Sequence, residues 1–320
     1  METGGMMEKA ENSVATIAAE IQNLAPAIAK LTQRVRAVMA DPQIASLEGR
    51  ERAETLLPCE IGVEALGRCQ ILAANNVVVL ETLGVIALTR YIFELLVWLR
   101  TIQATPLKSL RFLIISLKDG EDHTSQHIAH LEAEARFLDV IAERDDPVPG
   151  MMALQEEHGE NLTAEIVRNA EKARMDAIDF EARRHFIAYA ADAKVNGYRF
   201  QAHLIRKKAV ALAYADLEVK RQVRSDFVDR FSQSLIDEAG GISRWNWFES
   251  AKDVGMEPEY QYIYRYTSRL LHATPTSFYT SSKNLELAEM RLLLEYVYVR
   301  LLDVIDVVTD FAARGEAKSG

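Results

Sequence analysis

The amino-acid sequence predicts an all-α protein: a multi-helix bundle preceded by an N-terminal helical arm with a heptad pattern. Apolar residues recur at helical spacing through most of the chain. No stretch alternates apolar and polar residues with the period of two that a half-buried strand requires. Glycine, with 15 residues, and proline, with 8, are too scarce for a fold of many short strands and turns.

The composition is that of a folded protein that does not depend on disulfide bonds. Hydrophobic residues make up 49% of the 320 residues and charged residues 26%, which excludes wholesale disorder. Cys59 and Cys69 are the two cysteines, so we expect no disulfide framework and a reducing, cytoplasmic setting. The apolar segment 77–99 includes charged residues, among them Arg90 and Glu94, that would be costly in a bilayer. We therefore expect a helix buried in protein there and no membrane partner.

Eight apolar residues near the N-terminus recur at alternating steps of three and four, which is the pattern of a coiled-coil seam. They are Val14, Ile17, Ile21, Leu24, Ile28, Leu31, Val35 and Val38. The pattern gives a period but no partner, so two arrangements stay open: the arm packs along its own chain, or residues 14–38 form a homo-oligomer with a second copy. We expect the arm to span residues 1–58, the bundle 59–314 and a mobile tail 315–320.

Prolines and glycines divide the first half of the bundle into helices. The sequence predicts a very apolar helix from Glu60 to about Thr105, which ends before Pro106. An amphipathic pair over residues 107–144 follows, broken at Asp119–Gly120. The segment ERDDPVPG, residues 143–150, is predicted to be a loop.

Capping signals divide the second half. Helices are predicted from Glu160 to about Ala239. Ser243 is predicted to cap the short helix WNWFESAKDV, whose two tryptophans, two positions apart, are not expected to share a face. A Tyr-rich helix then runs from Pro258 to about His272, and the last helix from Ser282 to about Ala313.

The apolar helix carries a charged pair, Arg90 and Glu94, within LTRYIFELLVWL. Residues four apart lie on one helical face. Stranding either charge in an apolar interior would cost roughly 3–5 kcal/mol, so the pair requires a partner or a pocket. A purely structural ion pair, buried or at the rim of the bundle, is the alternative explanation.

The segment YQYIYRYTSRLLHATPTS carries a second group of polar residues. Tyr264, Ser268 and His272 follow one another at steps of four and line one face, while Arg265 and Arg269 line the next face. This arrangement raises the prospect of a polar cavity, although a histidine at a helix end is commonly structural.

Both helices carry isolated polar groups on apolar surfaces, and buried polar groups must satisfy one another. We therefore expect Arg90, Glu94, Ser268 and His272 to converge on one buried or half-buried polar site, with Tyr264 and Arg269 at its edge. In this hypothesis Glu94 orients and charges His272, and Arg90 either holds Glu94 or binds an anion.

These residues resemble the motifs of a widespread prokaryotic all-helical domain family of unknown function. The motifs are Arg90-x-x-x-Glu94, Ser268-x-x-x-His272 and the stretch ARRHFIAYAADAKVNGY, residues 182–198. The resemblance covers about residues 60–310. It implies an all-α bundle and no established activity.

A second, weaker resemblance is to HEPN domains, helical modules of which many are RNases with an Arg-x4–6-His motif. Arg265 and His272 have six residues between them, at the limit of that pattern. The resemblance implies RNA cleavage as part of a toxin or defence system, in which Arg265 stabilises phosphate charge and His272 moves a proton. This chain departs from the usual context, because Arg265 lies among tyrosines and no polar residue follows it directly.

The segment DHTSQHIAHLEAE raises the alternative of a metal site. His123, His127 and His130 lie on one helical stripe with Glu134, and histidines four apart can share Zn²⁺ or Fe²⁺. One straight helix does not wrap four ligands around an ion, since the first and last are about 16 Å apart at 1.5 Å rise per residue. A solvated helix face explains the same pattern, and we expect no cofactor.

The charge distribution raises the question of nucleic acid. Residues 111–180 carry a net charge of −9 and residues 181–235 carry +5. The basic residues include the run at 206–208, but aromatic interleaving is limited to Tyr214. Neighbouring helices that neutralise each other explain this distribution, with nucleic-acid contact as the alternative. The sequence contains no phosphate-binding glycine loop, nucleophile elbow, Cys-x-x-Cys or His-Glu-x-x-His motif, which disfavours nucleotide hydrolysis, serine hydrolase and zinc protease chemistry.

Overall fold

A computed structural model describes residues 14–74, 82–144, 147–185, 188–241, 245–271 and 285–319. Nearly all of these residues are helical and none of them lies in a strand, so the predicted all-α class is confirmed. Within the same ranges, no helix combines the length and the apolar character that crossing a membrane requires.

Along most of their length the described residues form helices. In the first half they are α1 (residues 14–22), α2 (Ala25–Ala40), α3 (Pro42–Ala45), α4 (Gly49–Glu51), the π-helix π1 (Arg52–Leu56), α5 (Leu57–Ala74), α6 (Thr82–Ala104), α7 (Lys108–Arg144) and α8 (Pro147–His158). In the second half they are α9 (Ala164–Arg184), α10 (Ala190–Asn196), α11 (Tyr198–Leu204), π2 (Ile205–Val210), α12 (Ala211–Val228), α13 (Gln233–Glu238), α14 (Trp247–Asp253), α15 (Glu257–Glu259), π3 (Tyr260–Tyr264), α16 (Arg265–Leu271) and α17 (Leu287–Ser319).

The chain divides into two compact units. The first unit combines Met1–Ile115 with Val228–Gly320, and the second unit is Ser116–Phe227. Each unit has its own hydrophobic cluster. The predicted domains at 1–58 and 59–314 divide the chain at other positions and stay a prediction.

The core of the first unit is built by α2, α5, α6 and α17, which pack on one another. The heptad seam of the arm lies inside this core: Ile17, Ile21, Ile28, Leu31, Val35 and Val38 are buried. Because α2 packs on α5 and α17, the seam faces its own chain, which is the first of the two arrangements considered above. Cys59 and Cys69 are free and belong to the same core, where burial raises the pKa of each thiol to about 12.

The last helix is longer than predicted. Residues 315–319, assigned from the sequence to a mobile tail, form the end of α17, and Gly315 is buried against Val38 of α2. Arg34 donates two hydrogen bonds to the Glu316 carboxylate, from Nε at 2.7 Å and from Nη2 at 2.6 Å. These contacts explain why the helix continues past Ala313.

Two boundaries predicted in the middle of the chain are wrong. The predicted break at Asp119–Gly120 is absent, because α7 continues through it as one helix of 37 residues. A single helical glycine costs only about 1 kcal/mol, and the buried Thr124 and Ile128 continue the apolar face beyond it. The loop predicted at 143–150 is shorter, since α8 begins at Pro147, where a helix needs no N–H donor.

The second unit packs the later part of α7 against α11, π2 and α12 through a smaller cluster that includes Leu131, Leu138 and Leu217. Its charges pair across helices. Arg224 binds Glu121 and Arg206 binds Asp139, so basic residues of the segment 181–235 meet acidic residues of the segment 111–180.

Candidate functional site

Helices α6 and π3 bring an arginine, a glutamate and a tyrosine together. Arg90 Nε donates to Glu94 Oε1 at 2.9 Å on the same helix. Arg90 Nη2 donates to the Tyr264 hydroxyl at 3.3 Å, and the guanidinium carbon lies 4.9 Å from the centroid of that ring. One guanidinium therefore joins two helices that lie 174 residues apart in the sequence.

The Arg90–Glu94 pair lies at the rim of the first unit. The exposed fraction is 24% for the Arg90 side chain and 27% for Glu94, so the charges are half-buried but reachable from solvent. Burial lowers the pKa of Arg90, but the hydrogen bond and charge of Glu94 outweigh it and the net shift is upward. Burial raises the pKa of Tyr264, against the charge of Arg90. At neutral pH the guanidinium of Arg90 is therefore charged and the phenol of Tyr264 keeps its proton.

The site borders a group of eight aromatic side chains, called here the aromatic cluster. Its members are Phe93, Trp98, Phe112, Trp245, Trp247, Phe248, Tyr260 and Tyr264. Trp98 and Trp245 stack with ring centroids 3.4 Å apart, and Trp247 lies edge-on to both. The ring centroids of Trp247 and Tyr264 lie 6.3 Å apart. The three tryptophans of the chain all belong to this cluster.

Local backbone structure explains how the cluster forms. Asn246 caps α14, since its side-chain oxygen accepts from the N–H groups of Phe248 and Glu249. Trp245 therefore precedes the helix and Trp247 begins it, so both rings reach Trp98. The expectation that the two tryptophans do not share a face assumed a helix through both and is wrong. Asn246 is a standard capping residue, so the sequence does contain a signal for a helix that begins at Trp247. Ser243, the predicted cap, lies outside the described residues.

A π-helical turn positions the tyrosines. In π3, Tyr260 and Tyr264 stack at 4.8 Å with an interplanar angle of 14°, and both contact Phe93 of α6. On the other side, Tyr266 donates to Glu289 Oε1 of α17 at 2.8 Å. The Tyr-rich segment is thereby held between α6 and α17.

The remaining predicted site residues occupy different surroundings. Ser268 is half-buried one turn beyond Tyr264, and His272 lies outside the described residues. Arg269 is exposed, as is Arg265, which donates to Gln261 Oε1 at 2.9 Å on its own helix. The structure thus brings together Arg90, Glu94 and Tyr264 of the predicted set.

The three histidines predicted as possible metal ligands lie in different surroundings on α7. His123 and His127 are exposed, and His130 Nε2 lies 3.9 Å from Glu134 Oε2. Glu134 also accepts a hydrogen bond from the Tyr189 N–H at 2.6 Å. Across the described part of the chain, no group of three or more His, Cys, Asp or Glu is placed to hold a metal ion. The metal alternative at His123, His127 and His130 gains no support.

The basic segment uses much of its charge within the second unit. Besides the pairs of Arg206 and Arg224, Lys220 lies 2.7 Å from Asp216 and Arg221 lies 2.7 Å from Glu218. The last two pairs lie within α12, whereas the pairs of Arg206 and Arg224 reach α7 and agree with the interpretation that neighbouring acidic and basic helices neutralise each other.

Residues 164–286 match a family described as "Family of unknown function (DUF5677)". No curated protein and no solved structure matches the chain. The predicted resemblance to a helical family of unknown function is confirmed over those residues, which include Tyr264, Ser268 and His272. The matched segment does not extend to Arg90 and Glu94.

Proposed function

We propose that this protein binds an anionic small molecule at the site where Arg90 and Glu94 of α6 meet the helix face of Tyr264 and Ser268, and that His272 contributes to this site. One observation carries the proposal: Arg90 donates both to Glu94 and to Tyr264 at a half-exposed position. A guanidinium fixed in this way is preorganised, so it loses little conformational freedom when a ligand arrives.

The chemistry of the side chains favours an anion over a cation. The Tyr264 hydroxyl accepts from Arg90, which leaves its own hydrogen to donate. Ser268 adds a hydroxyl and Arg269 a further donor from the same helix, and His272 is proposed as an additional donor. Glu94 is occupied by Arg90, so its role is to hold the guanidinium in place.

The aromatic cluster strengthens such a site. Rings on one side of Arg90 exclude water, and electrostatic interactions grow as the local dielectric falls. The half-exposed rim leaves a route for a small ligand. The same contacts would also serve a purely structural tie between two helices, so the proposal depends on a test that separates binding from stability.

Tryptophan fluorescence provides that test, because all three tryptophans belong to the aromatic cluster. The full chain is titrated with inorganic phosphate and, separately, with acetate at constant ionic strength. We expect a saturable change in emission that is lost in Arg90→Met and kept in Arg291→Met. Arg291 is a matched control because it also pairs with a glutamate four residues on, at 2.8 Å, but on an exposed helix face.

Two results would contradict the proposal. The first is an emission that neither probe changes, and the second is an equal response in the two variants. Incubation with total RNA tests the alternative function, cleavage by Arg265 and His272 with Glu94 orienting the histidine. Cleavage by the wild type that disappears in His272→Ala would support that enzyme instead.

A further inference from the structure

A cavity of about 790 Å³ in the first unit lies apart from the residues of the site above. It is lined by the connection between α3 and α4, by Arg52 at the start of π1 and by Arg230 after α12. None of its lining residues belongs to the aromatic cluster. We propose that this cavity binds a phosphate-bearing small molecule, a second ligand site independent of the proposed function.

Arg52 is held in place at the wall of the cavity. Its Nη2 lies 3.2 Å from Glu60 Oε1, and its side chain is 20% exposed. Its Nε is buried and has no hydrogen-bond partner among the described residues. The guanidinium of Arg52 is fixed in position and has an unused N–H donor. Such a group contributes more free energy to the binding of an oxyanion than a mobile surface arginine does.

Arg230 supplies a second positive charge. It is exposed and forms no hydrogen bond or ion pair in the described part of the chain. Its charge acts on the same carboxylate as that of Arg52: burial raises the pKa of Glu60, and the two arginines oppose that rise. Two guanidinium groups therefore act on the same glutamate, and Arg230 itself forms no ion pair in the described part of the chain.

The backbone that lines the cavity at Gly49 is also suited to an anion. Gly49 has a φ of +52°, with no atom within 4 Å of the position that a Cβ would take. It begins a helical run that continues through π1 and α5 to Ala74, and the preceding Glu48 makes no side-chain hydrogen bond to the first turn. The first N–H groups of that run therefore lack a side-chain acceptor.

The size and charge of the cavity define the class of ligand. A volume of about 790 Å³ exceeds that of a lone phosphate and falls within the range of small-molecule sites, about 300–1,000 Å³. Planar guanidinium groups match the oxygens of a phosphate in pairs. Glu48 also lines the cavity and is exposed, so its charge opposes binding and is weakened by solvent.

Thermal unfolding of the full chain tests the proposal, with glucose 6-phosphate as the probe and glucose, inorganic phosphate and chloride compared at constant ionic strength. We expect glucose 6-phosphate to raise the melting temperature of the first unit by about 3–5 °C at ten times its dissociation constant. Glucose should have no effect, and inorganic phosphate a smaller one. Arg230→Gln should lose most of the shift. Because Arg230 is exposed and forms no hydrogen bond or ion pair in the described part of the chain, we expect this variant to fold normally.

Three further variants complete the experiment. Arg36→Gln changes another exposed arginine of the first unit, away from the cavity, and should keep the shift. Arg90→Met should also keep it, which separates this cavity from the site at Arg90. Glu48→Gln should increase it. A shift that survives in Arg230→Gln, that is lost equally in Arg36→Gln, or that is absent from the wild type would overturn the proposal.

Discussion

At the scale of single residues, Arg90 shows how a charge is accommodated on an apolar helix. Its side chain reaches the rim of the first unit, where Glu94 supplies a counterion and Tyr264 supplies both a hydroxyl and a ring face. Placing any one of these polar groups at a half-buried position would cost more free energy without the others, because a half-buried polar atom must be paired. The sequence carried the information for this pairing in the spacing of Arg90 and Glu94 and in the isolation of both on an apolar surface.

Replacing Arg90 should cost more stability than replacing an arginine in an equivalent surface pair. Arg90→Met leaves Glu94 half-buried without a counterion, and we expect a loss of about 1–3 kcal/mol in the free energy of unfolding. Arg291→Met removes an exposed pair of the same spacing, and we expect a loss below about 0.5 kcal/mol. Urea denaturation of both variants measures the difference. Equal losses would mean that burial and Tyr264 contribute nothing.

The pair of Arg34 and Glu316 gives a pH dependence with a defined sign. The hydrogen bond from Arg34 lowers the pKa of the Glu316 carboxyl below its ordinary value of 4.5. The pair therefore stabilises the fold above pH 4.5, and this contribution is lost as the pH falls through the lowered pKa. Glu316→Gln should reduce the melting temperature slightly at pH 7 and by less at a pH well below 4.5, because the Glu316 carboxyl gains a proton as the pH falls. A difference of the same size at both pH values would argue against this account.

At the scale of elements, the existence of most helices follows from the sequence, and their ends do not. The expected end near Ala313 relied on the apolar period, but Gly315 and Glu316 extend α17 through contacts with α2, which is 282 residues away along the chain. The same holds for α14, whose beginning at Trp247 depends on a capping bond of Asn246. Local pattern predicts a helix, whereas tertiary contacts and caps decide where it stops.

Because α17 approaches α2 closely at Gly315, any side chain at this position should destabilise the protein. A Cβ at this position would lie 2.4 Å from Val38 Cγ1, and Val38 is a stiff, buried side chain. We expect Gly315→Ala to destabilise the protein by about 1–3 kcal/mol. Gly67→Ala, on an open helix face with nothing within 4 Å, should instead stabilise it by up to about 1 kcal/mol.

A second substitution distinguishes a clash from other effects of Gly315→Ala. Val38→Ala removes the atom that the new methyl group would meet, so the double variant should recover part of the loss. Chemical denaturation of the two single variants and the double variant measures the recovery. Strictly additive losses would show that Val38 is not the obstacle.

At the scale of the whole molecule, the chain forms two units with separate cores and separate charge pairs. The uneven charge of the sequence is explained largely inside the second unit, where Arg206 and Arg224 bind acidic residues of α7. The sequence indicated this neutralisation but not the division into units, because the boundaries fall within α7 and α12 and no proline or glycine marks them.

Separate cores predict separate unfolding transitions. Leu301 is fully buried in the first unit and Leu138 in the second, so Leu→Ala at each position removes equivalent apolar contacts. We expect two transitions in calorimetry, of which Leu301→Ala lowers one and Leu138→Ala the other, each by about 2–5 kcal/mol in unfolding free energy. A single transition that both variants lower equally would contradict this expectation.

The candidate site was predictable in part. Isolated polar groups on two apolar helices predicted that the helices would meet, and Arg90 and Tyr264 do so. The aromatic cluster was not predictable, since it depends on a π-helical turn at Tyr260–Tyr264 and on an extended residue before α14. Such local departures from α-helical geometry change which side chains share a face.

The proposed site includes His272, and the claim that this histidine acts together with Arg90 can be tested directly. A double-mutant cycle of Arg90→Met and His272→Ala, followed by urea denaturation of the full chain, measures the coupling directly. The account predicts a coupling energy of more than about 0.5 kcal/mol between these two positions, and none between His272 and Arg291. Losses for Arg90→Met and His272→Ala that add to within about 0.3 kcal/mol would place the histidine outside the site and contradict the account.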